Sequence, residues 1–245
     1  PQNHAEVIRE LVVPVIRDGL IVAILGVGNK SSDYDEEDIE IVSYFADMTW
    51  SIIQQKKLEE EMALQKRIDN ELAGLSASLI TQTNLVDISE KVLDTAKRLT
   101  KSRYGYVGSY EEKTGVLNCH TMTRDIWQEC HIPDKSVVFE KCTGLFGWVL
   151  DNKEPLLLND IKDDPRSTGT PEGHIDIRSF LGVPAMIGST VVGQIALANP
   201  LDKFLNIDLK IVERIADIYS LAIQRQQYHD HLIEIESKKA DELEK

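Results

Sequence analysis

Six side chains between positions 124 and 174 are of types that bind small molecules. They are two arginines, two tryptophans, a cysteine and a histidine: Arg124, Arg166, Trp127, Trp148, Cys130 and His174. A guanidinium group either pairs with an acidic side chain of the protein or holds an anionic group of a ligand, such as a carboxylate or a phosphate. A tryptophan ring either fills the core or lines an aromatic pocket. This part of the chain is therefore the expected location of a binding site.

The histidines and cysteines leave metal binding open. His174 follows Pro171-Glu172-Gly173. Its ring either hydrogen-bonds the backbone of that loop and fixes it, or serves as a metal ligand. The pairs Cys119-His120 and Cys130-His131 hint at soft-metal binding, although zinc sites usually take four ligands at tighter spacing.

Bulk composition excludes several classes of partner. The formal net charge is −14 with acidic residues spread along the chain, which argues against binding to nucleic acid or to an anionic membrane surface. No apolar run approaches the ~20 residues of a membrane-spanning helix, and no signal peptide is visible. Three cysteines without a Cys-x-x-Cys pair argue against a disulfide framework. We therefore predict a soluble, cytoplasmic region without membrane insertion.

A β-hairpin pattern occurs twice. Residues 183–199 contain two apolar, β-branched arms around Gly188-Ser189. Residues 11–27 contain the same pattern around Asp18-Gly19, and the two copies align without a gap. The interval between them is too long for a solenoid repeat and indicates tandem domains of one type.

The repeat sets the predicted domain organisation. We predict the C-terminal part of a first, truncated domain over residues 1–55 and a complete domain over 81–226. A helical linker over 56–80 joins them, and an exit helix over 227–245 follows. In the complete domain the patterns predict, in order, a helix, two strands, a short helix, a strand, a helix, a strand and a polar loop: 85–99 capped by Asn84 or Thr83, 104–110, 116–122, 123–130, 136–139, 144–150, 155–158 and 160–173.

The linker helix has an apolar stripe near a 3.5-residue period: Leu58, Met62, Leu72, Leu75 and Leu79. Either this is a solvated linker helix, or the stripe is the seam of a two-stranded parallel coiled coil with a second copy of the chain. The exit helix continues a similar spacing and is either a frayed terminus or a rod to another module: Ile211, Ile215, Ile218, Ala222, Arg225, His229 and Leu232. We predict a homodimer through the linker and exit helices.

The order of these elements resembles the GAF domain over nearly the whole chain. Three stretches are similar to GAF domains of the multi-domain PAS/GAF sensor histidine kinases of methanogenic archaea: 121–127, 144–148 and 164–174. The resemblance implies an α/β (α+β) fold with a central antiparallel sheet, helices on both faces and a ligand pocket on one face. It also implies helical coupling to a downstream kinase domain of the same polypeptide.

Within that group, some GAF domains are haem-binding redox sensors. The resemblance puts Cys130 where a cysteine links covalently to the haem, and makes His174 the candidate iron ligand. A thiol can add to a vinyl group, and neutral imidazole coordinates iron. The alternative for Cys130 is a small, half-buried apolar side chain. Haem is thus the leading candidate cofactor.

Three functions follow as hypotheses. The first is a sensor module that binds a small molecule, with haem as the leading candidate, and passes a signal along dimeric helices. The second is a structural dimerisation relay without a ligand. The third is a cysteine-based methionine sulfoxide reductase of GAF fold, which needs a thiolate of low pKa and a resolving thiol. Because no phosphoacceptor helix or ATP-binding glycine box is present, we predict no catalysis by this region itself.

Overall fold

The computed structural model describes residues 6–82, 84–123, 137–169 and 174–243. Within them it has eight strands and four helices: β1 (Glu10–Arg17), β2 (Leu20–Gly28), α1 (Glu36–Ile80), α2 (Leu85–Thr100), β3 (Ser102–Glu111), β4 (Val116–Met122), β5 (Val138–Phe139), α3 (Gly144–Asn152), β6 (Leu156–Leu158), β7 (Phe180–Ile187), β8 (Thr190–Pro200) and α4 (Asn206–Leu243). Residues 1–67 and 68–245 are two compact units. None of the described helices is long and apolar enough to cross a membrane.

The first unit contains the hairpin β1–β2 and the first part of α1. The two strands turn at Asp18-Gly19, both with positive φ, as predicted. Val13 and Val15 are buried with Ala46 of α1, because alternate residues of β1 face the helix. The opposite face of the hairpin is apolar and exposed, with Ile24 68% accessible.

The second unit repeats the hairpin in detail. Strand β7 begins and ends at the positions that match the two ends of β1, and α4 begins at the position that matches the start of α1. The β-bulge between Val15 and Ile16 recurs between Ala185 and Met186. Asp38 accepts a hydrogen bond from the Asp35 amide just before α1 begins, and Asp208 does the same for Leu205 before α4. The repeat seen in the sequence therefore extends to helix caps and strand irregularities.

A six-stranded antiparallel sheet organises the second unit, in the order β5-β4-β3-β8-β7-β6. Its strands agree closely with the predicted ones, apart from the residues near 136 that lie outside the described ranges. The hairpin β7–β8 is central, because β8 also pairs with β3. Asn84, one of the two predicted caps, caps α2 by accepting a hydrogen bond from the Val86 amide.

Helices cover both faces of this sheet. Because side chains alternate along a strand, Ile195 and Leu197 pack against α2 and α4, whereas Ala196 packs against α3 on the other face. In β7, Leu181 likewise packs on the face of α2 and α4, and Phe180 packs on the face of α3. The predicted antiparallel sheet with helices on both faces is thus confirmed.

The end of α1 corrects the predicted coiled-coil seam. Leu72, Leu75 and Leu79 are 3–4% accessible and belong to the core cluster of their own chain, with α2, α4 and the sheet. They therefore cannot pair with a second copy while this core is intact. Leu58 and Met62, earlier in the same stripe, are exposed. Only that part of the predicted seam is available for a partner.

Candidate functional site

The candidate site lies on the sheet face that α3 covers. Leu145 and Val149 of α3 are buried against Phe180 and Ala196 of the sheet. Helix α3 ends at Lys153, which takes the left-handed conformation that often terminates helices. The helix is thus held over the centre of the sheet by apolar packing.

A buried network of hydrogen bonds also ties α3 to the sheet. The Tyr106 hydroxyl on β3 donates to Gln194 Oε1 on β8 at 2.7 Å, and Gln194 Nε2 donates to the Phe146 carbonyl of α3 at 3.0 Å. Gln194 is fully buried, so these bonds offset the cost of removing its amide from water. Burial raises the pKa of Tyr106 well above its ordinary value, so the hydroxyl stays protonated. The network therefore links two adjacent strands to α3.

A polar loop packs on the outer side of α3. Asp164 begins a turn that contains Pro165 and closes with a Ser167 amide bond to the Asp164 carbonyl. The Asp164 carboxylate accepts two hydrogen bonds from the Arg166 guanidinium, at 2.8 and 2.7 Å. Its hydrogen bonds with Arg166 lower the pKa of Asp164 to about 2. The guanidinium carbon lies 4.9 Å from the centre of the Trp148 ring, at cation–π distance.

The same loop approaches α3 one turn earlier. Gly144 has φ +67°, and a Cβ there would lie 2.7 Å from Thr168 Oγ1. Any larger residue at 144 would be strained by its backbone and would displace Thr168. The loop therefore touches α3 at Gly144 and at Trp148, which lie on one face of the helix.

The His174 ring is oriented by the next residue. Nδ1 lies 2.8 Å from the Ile175 carbonyl oxygen, and a carbonyl only accepts, so Nδ1 carries the proton. The lone pair of the neutral ring is then on Nε2, which is the nitrogen that would bind a metal. Ile175 itself is buried against Tyr104 and Ala198. The geometry agrees with both sequence hypotheses, a backbone-bonded histidine and a ligand through Nε2.

Two thiols on this face are buried or partly buried. Burial, with a smaller effect of Cys142, raises the pKa of Cys119 to about 12, and burial is the main cause that raises the pKa of Cys142. Both are therefore poor thiolates at neutral pH. His120 hydrogen-bonds Ser109 at 2.7 Å, and burial lowers its pKa. Among the described residues, no group of three or more His, Cys, Asp and Glu side chains could hold a metal.

The structure brings together two of the six predicted site residues. Arg166 and Trp148 are in contact, but Arg166 also pairs with Asp164 rather than standing ready for an anionic ligand. Arg124, Trp127 and Cys130 lie outside the described residues, as does the predicted helix over 123–130 beyond its first residue.

Sequence reasoning missed Tyr106 and Gln194. The available signal was one amide side chain within the otherwise apolar run 191–198. A single polar residue in a buried strand is expensive unless it is hydrogen-bonded, so it indicates a specific partner.

Comparison with known proteins supports the fold assignment. The family model of the GAF domain matches residues 1–54 and 82–224. A methyl sulfide methyltransferase-associated sensor from Methanosarcina acetivorans is 26% identical over 151 residues, which is 61% of this chain and 15% of the relative. The chain thus spans a small part of that relative's length.

Solved structures show the same fold at low identity. The GAF domain of an Acinetobacter phosphoenolpyruvate-protein phosphotransferase has a TM-score of 0.54 and 17% identity, covering 65% of this chain and 93% of the other. The free methionine-R-sulfoxide reductase of Neisseria meningitidis has a TM-score of 0.53 and 12% identity, covering 66% and 91%. These likenesses concern the fold alone.

Proposed function

Because this chain belongs to the GAF domain family, we propose that its second module senses a small molecule on the sheet face beneath α3 and passes the signal along α4. The observation that carries the proposal is the bond from Gln194 to the Phe146 carbonyl of α3. A ligand that accepts the Gln194 Nε2 hydrogen bond in place of the Phe146 carbonyl would change the position of that helix. Such a ligand shifts the equilibrium only by its different affinity for the two arrangements.

Pairing of two chains is the second part of the proposal. Leu58 and Met62 are 57% and 64% accessible, and Tyr228 and Leu232, at the equivalent positions of the second copy, are 66% and 59% accessible. Exposed apolar pairs at four-residue spacing on both helices fit parallel pairing with a second copy of the chain. The homodimer would then carry the signal to a kinase domain outside this region, in the cytoplasm. We assign no catalytic step to the region itself.

Haem is the cofactor that we propose for testing first. His174 fits an iron ligand through Nε2, whereas Arg166 fits a propionate partner poorly because Asp164 already neutralises it. Bound haem would supply a centre that responds to redox state or to a gas. Cys130 would be the covalent attachment point.

Hemin reconstitution followed by absorption spectroscopy tests the haem version. We expect a Soret band that is lost or shifted in His174→Ala and kept in the control His120→Ala, whose ring bonds Ser109. Cys130→Ala should leave the pigment extractable by acid and organic solvent. Absence of a Soret band in the reconstituted wild-type protein would rule out haem.

A ligand-free relay is the alternative, and the dense packing of α3 on the sheet favours it. Native mass spectrometry of the protein purified from cells separates the two functions. A bound small molecule that is released on unfolding supports the sensor. A bare mass, together with amide exchange of α3 that is unchanged by refolding from urea, would support the relay instead.

A further inference from the structure

The end of α1 and the start of α4 run side by side in the same direction. Two polar links join them. Asp69 pairs with Arg214 at 2.8 Å, and the Arg225 guanidinium donates to the carbonyls of Ile80 and Gln82. Each link joins positions separated by nearly the same interval along the chain, so the two helices advance together over about three turns.

The apolar packing has the same register. The tail of α1 presents Ile68, Leu72, Leu75 and Leu79 to one core cluster. Helix α4 presents Ile211, Ile215 and Ala222 to the same cluster, with the partly buried Ile218 packed against it. Both sets follow four-, three- and four-residue spacing, so each helix turns one apolar face into this common core. The end of α1 thus shares a core with α4, the exit helix of its own unit, and the polar links hold the two helices alongside each other.

Arg225 lies where this pairing ends. Helix α1 stops at Ile80 without a basic residue in its last turn, so its final carbonyls lack the usual positive partner. Arg225 supplies it from α4. One residue later Gln226 is still buried, and from residue 227 to residue 234 the side chains of α4 are exposed. The guanidinium therefore joins the end of the entry helix to the point where the exit helix leaves the module.

The first copy lacks this link. The position that matches Arg225 in the first copy is Gln55, which lies within the continuous helix α1 and donates to Glu59 one turn later. The arginine is thus specific to the module in which a separate helix ends beside the exit helix.

We propose that Arg225 is the positioning residue that couples the order of the α1 end to the order of the exit segment 227–234. The proposal deepens the proposed function, since it makes α4 responsive to changes that arrive along α1 as well as to a ligand under α3. When the end of α1 frays, both Arg225 bonds are lost, and the exit segment loses its fixed end. Coupling of this kind is reciprocal.

Hydrogen exchange on the whole chain tests the coupling through a perturbation of α1 alone. Gly74 is exposed, has no atom within 4 Å of a built Cβ, and lies inside α1, so Gly74→Ala should stabilise the helix. Replacing an exposed helical glycine by alanine slows local opening about five-fold. We expect slower exchange both at residues 75–82 and at residues 227–234 of α4.

The decisive step repeats this substitution without the link. In an Arg225→Gln background, Gly74→Ala should still protect the end of α1 but no longer protect residues 227–234. Arg98→Gln is the matched control, because it breaks the ion pair of α2 with Glu71 of α1 and should leave the transmission intact. Arg225→Lys keeps the positive charge but lacks the planar guanidinium that donates to two carbonyls at once. In that background, Gly74→Ala should protect residues 227–234 less than it does with the native arginine.

Equal protection of residues 227–234 by Gly74→Ala with and without Arg225 would overturn the proposal, as would no effect of Gly74→Ala on α4 in the native background. Should Arg225→Gln fail to fold, Arg225→Lys provides the same comparison. The measurement needs neither a ligand nor a dimer. Its outcome is therefore independent of the hemin and mass-spectrometry tests: the sensor can fail there while this inference holds, and this inference can fail here while the sensor holds.

Discussion

Asn29 and Asn199 make the same hydrogen bonds at the ends of the two repeated hairpins. Both have positive φ, 62° and 50°. The Asn29 side chain accepts from the amides of Ile8 and Arg9 and donates to the Glu6 carbonyl. The Asn199 side chain accepts from the amides of residues 178 and 179 and donates to the carbonyl of residue 176. Asparagine suits the position because it tolerates the left-handed region and bonds nearby backbone.

Asn199→Ala should destabilise the second unit by about 3 kcal/mol. The substitution removes three hydrogen bonds from backbone groups that are at least partly buried, and it leaves a side chain with Cβ in the left-handed region. Urea unfolding followed by far-UV circular dichroism measures the change. Asn199→Gly relieves the backbone strain but not the lost bonds, so it should cost about 1 to 2 kcal/mol less than alanine. Equal costs for the two variants would contradict this division.

The Tyr106–Gln194 pair should show non-additive energetics. Tyr106→Phe leaves the buried Gln194 Oε1 without its donor and should cost about 1–2 kcal/mol. In Gln194→Leu, the Tyr106 hydroxyl loses its acceptor, and the cost should be similar. The double variant should cost at least about 1 kcal/mol less than the sum, because it leaves neither of these two groups unpaired. Additive costs in a urea-unfolding cycle would show that the two side chains do not act together.

Local patterns were sufficient to predict most elements of the fold. Turn residues at Asp18-Gly19 and Gly188-Ser189 fix both hairpins through their backbone preferences, and these hairpins are present as predicted. Local patterns could not predict which surface an apolar stripe packs against. Leu72 and Leu79 have the same 3.5-residue spacing whether they face a second chain or α4 of their own chain, so periodicity could not decide between them.

The site was harder to predict because its contacts join residues far apart in sequence. The register that places Tyr106 beside Gln194 follows from the pairing of β3 with β8, which no local signal specifies. Arg166 was recognised as a charged candidate, but the sequence contains many acids that could pair with it. Its partner Asp164 is two residues away, where the turn at Pro165 brings the two side chains together.

Leucine truncations should separate the two parts of the stripe on α1. Leu72→Ala should lower the free energy of unfolding of the second unit by about 2–5 kcal/mol, because it opens a cavity in a core that one chain forms. This loss should be independent of protein concentration. Leu58→Ala is the control, and within a monomer its cost should stay below about 0.5 kcal/mol, because the side chain is exposed. If the loss of unfolding free energy in Leu72→Ala depended on protein concentration, Leu72 would instead pack against a second chain.

The Asp164–Arg166 pair should keep the loop on α3 down to unusually low pH. The pKa of Asp164 is lowered in the folded protein, from an ordinary value of 3.8 to about 2, chiefly by hydrogen bonds from Arg166. The folded form therefore gains stability from this carboxylate above pH 3.8, and the gain is lost as the pH falls through about 2. A carboxyl-carbon NMR titration should give a midpoint near 2 for Asp164. In Arg166→Gln the midpoint should rise toward 3.8, and an unchanged midpoint would show that another group holds the carboxylate ionised.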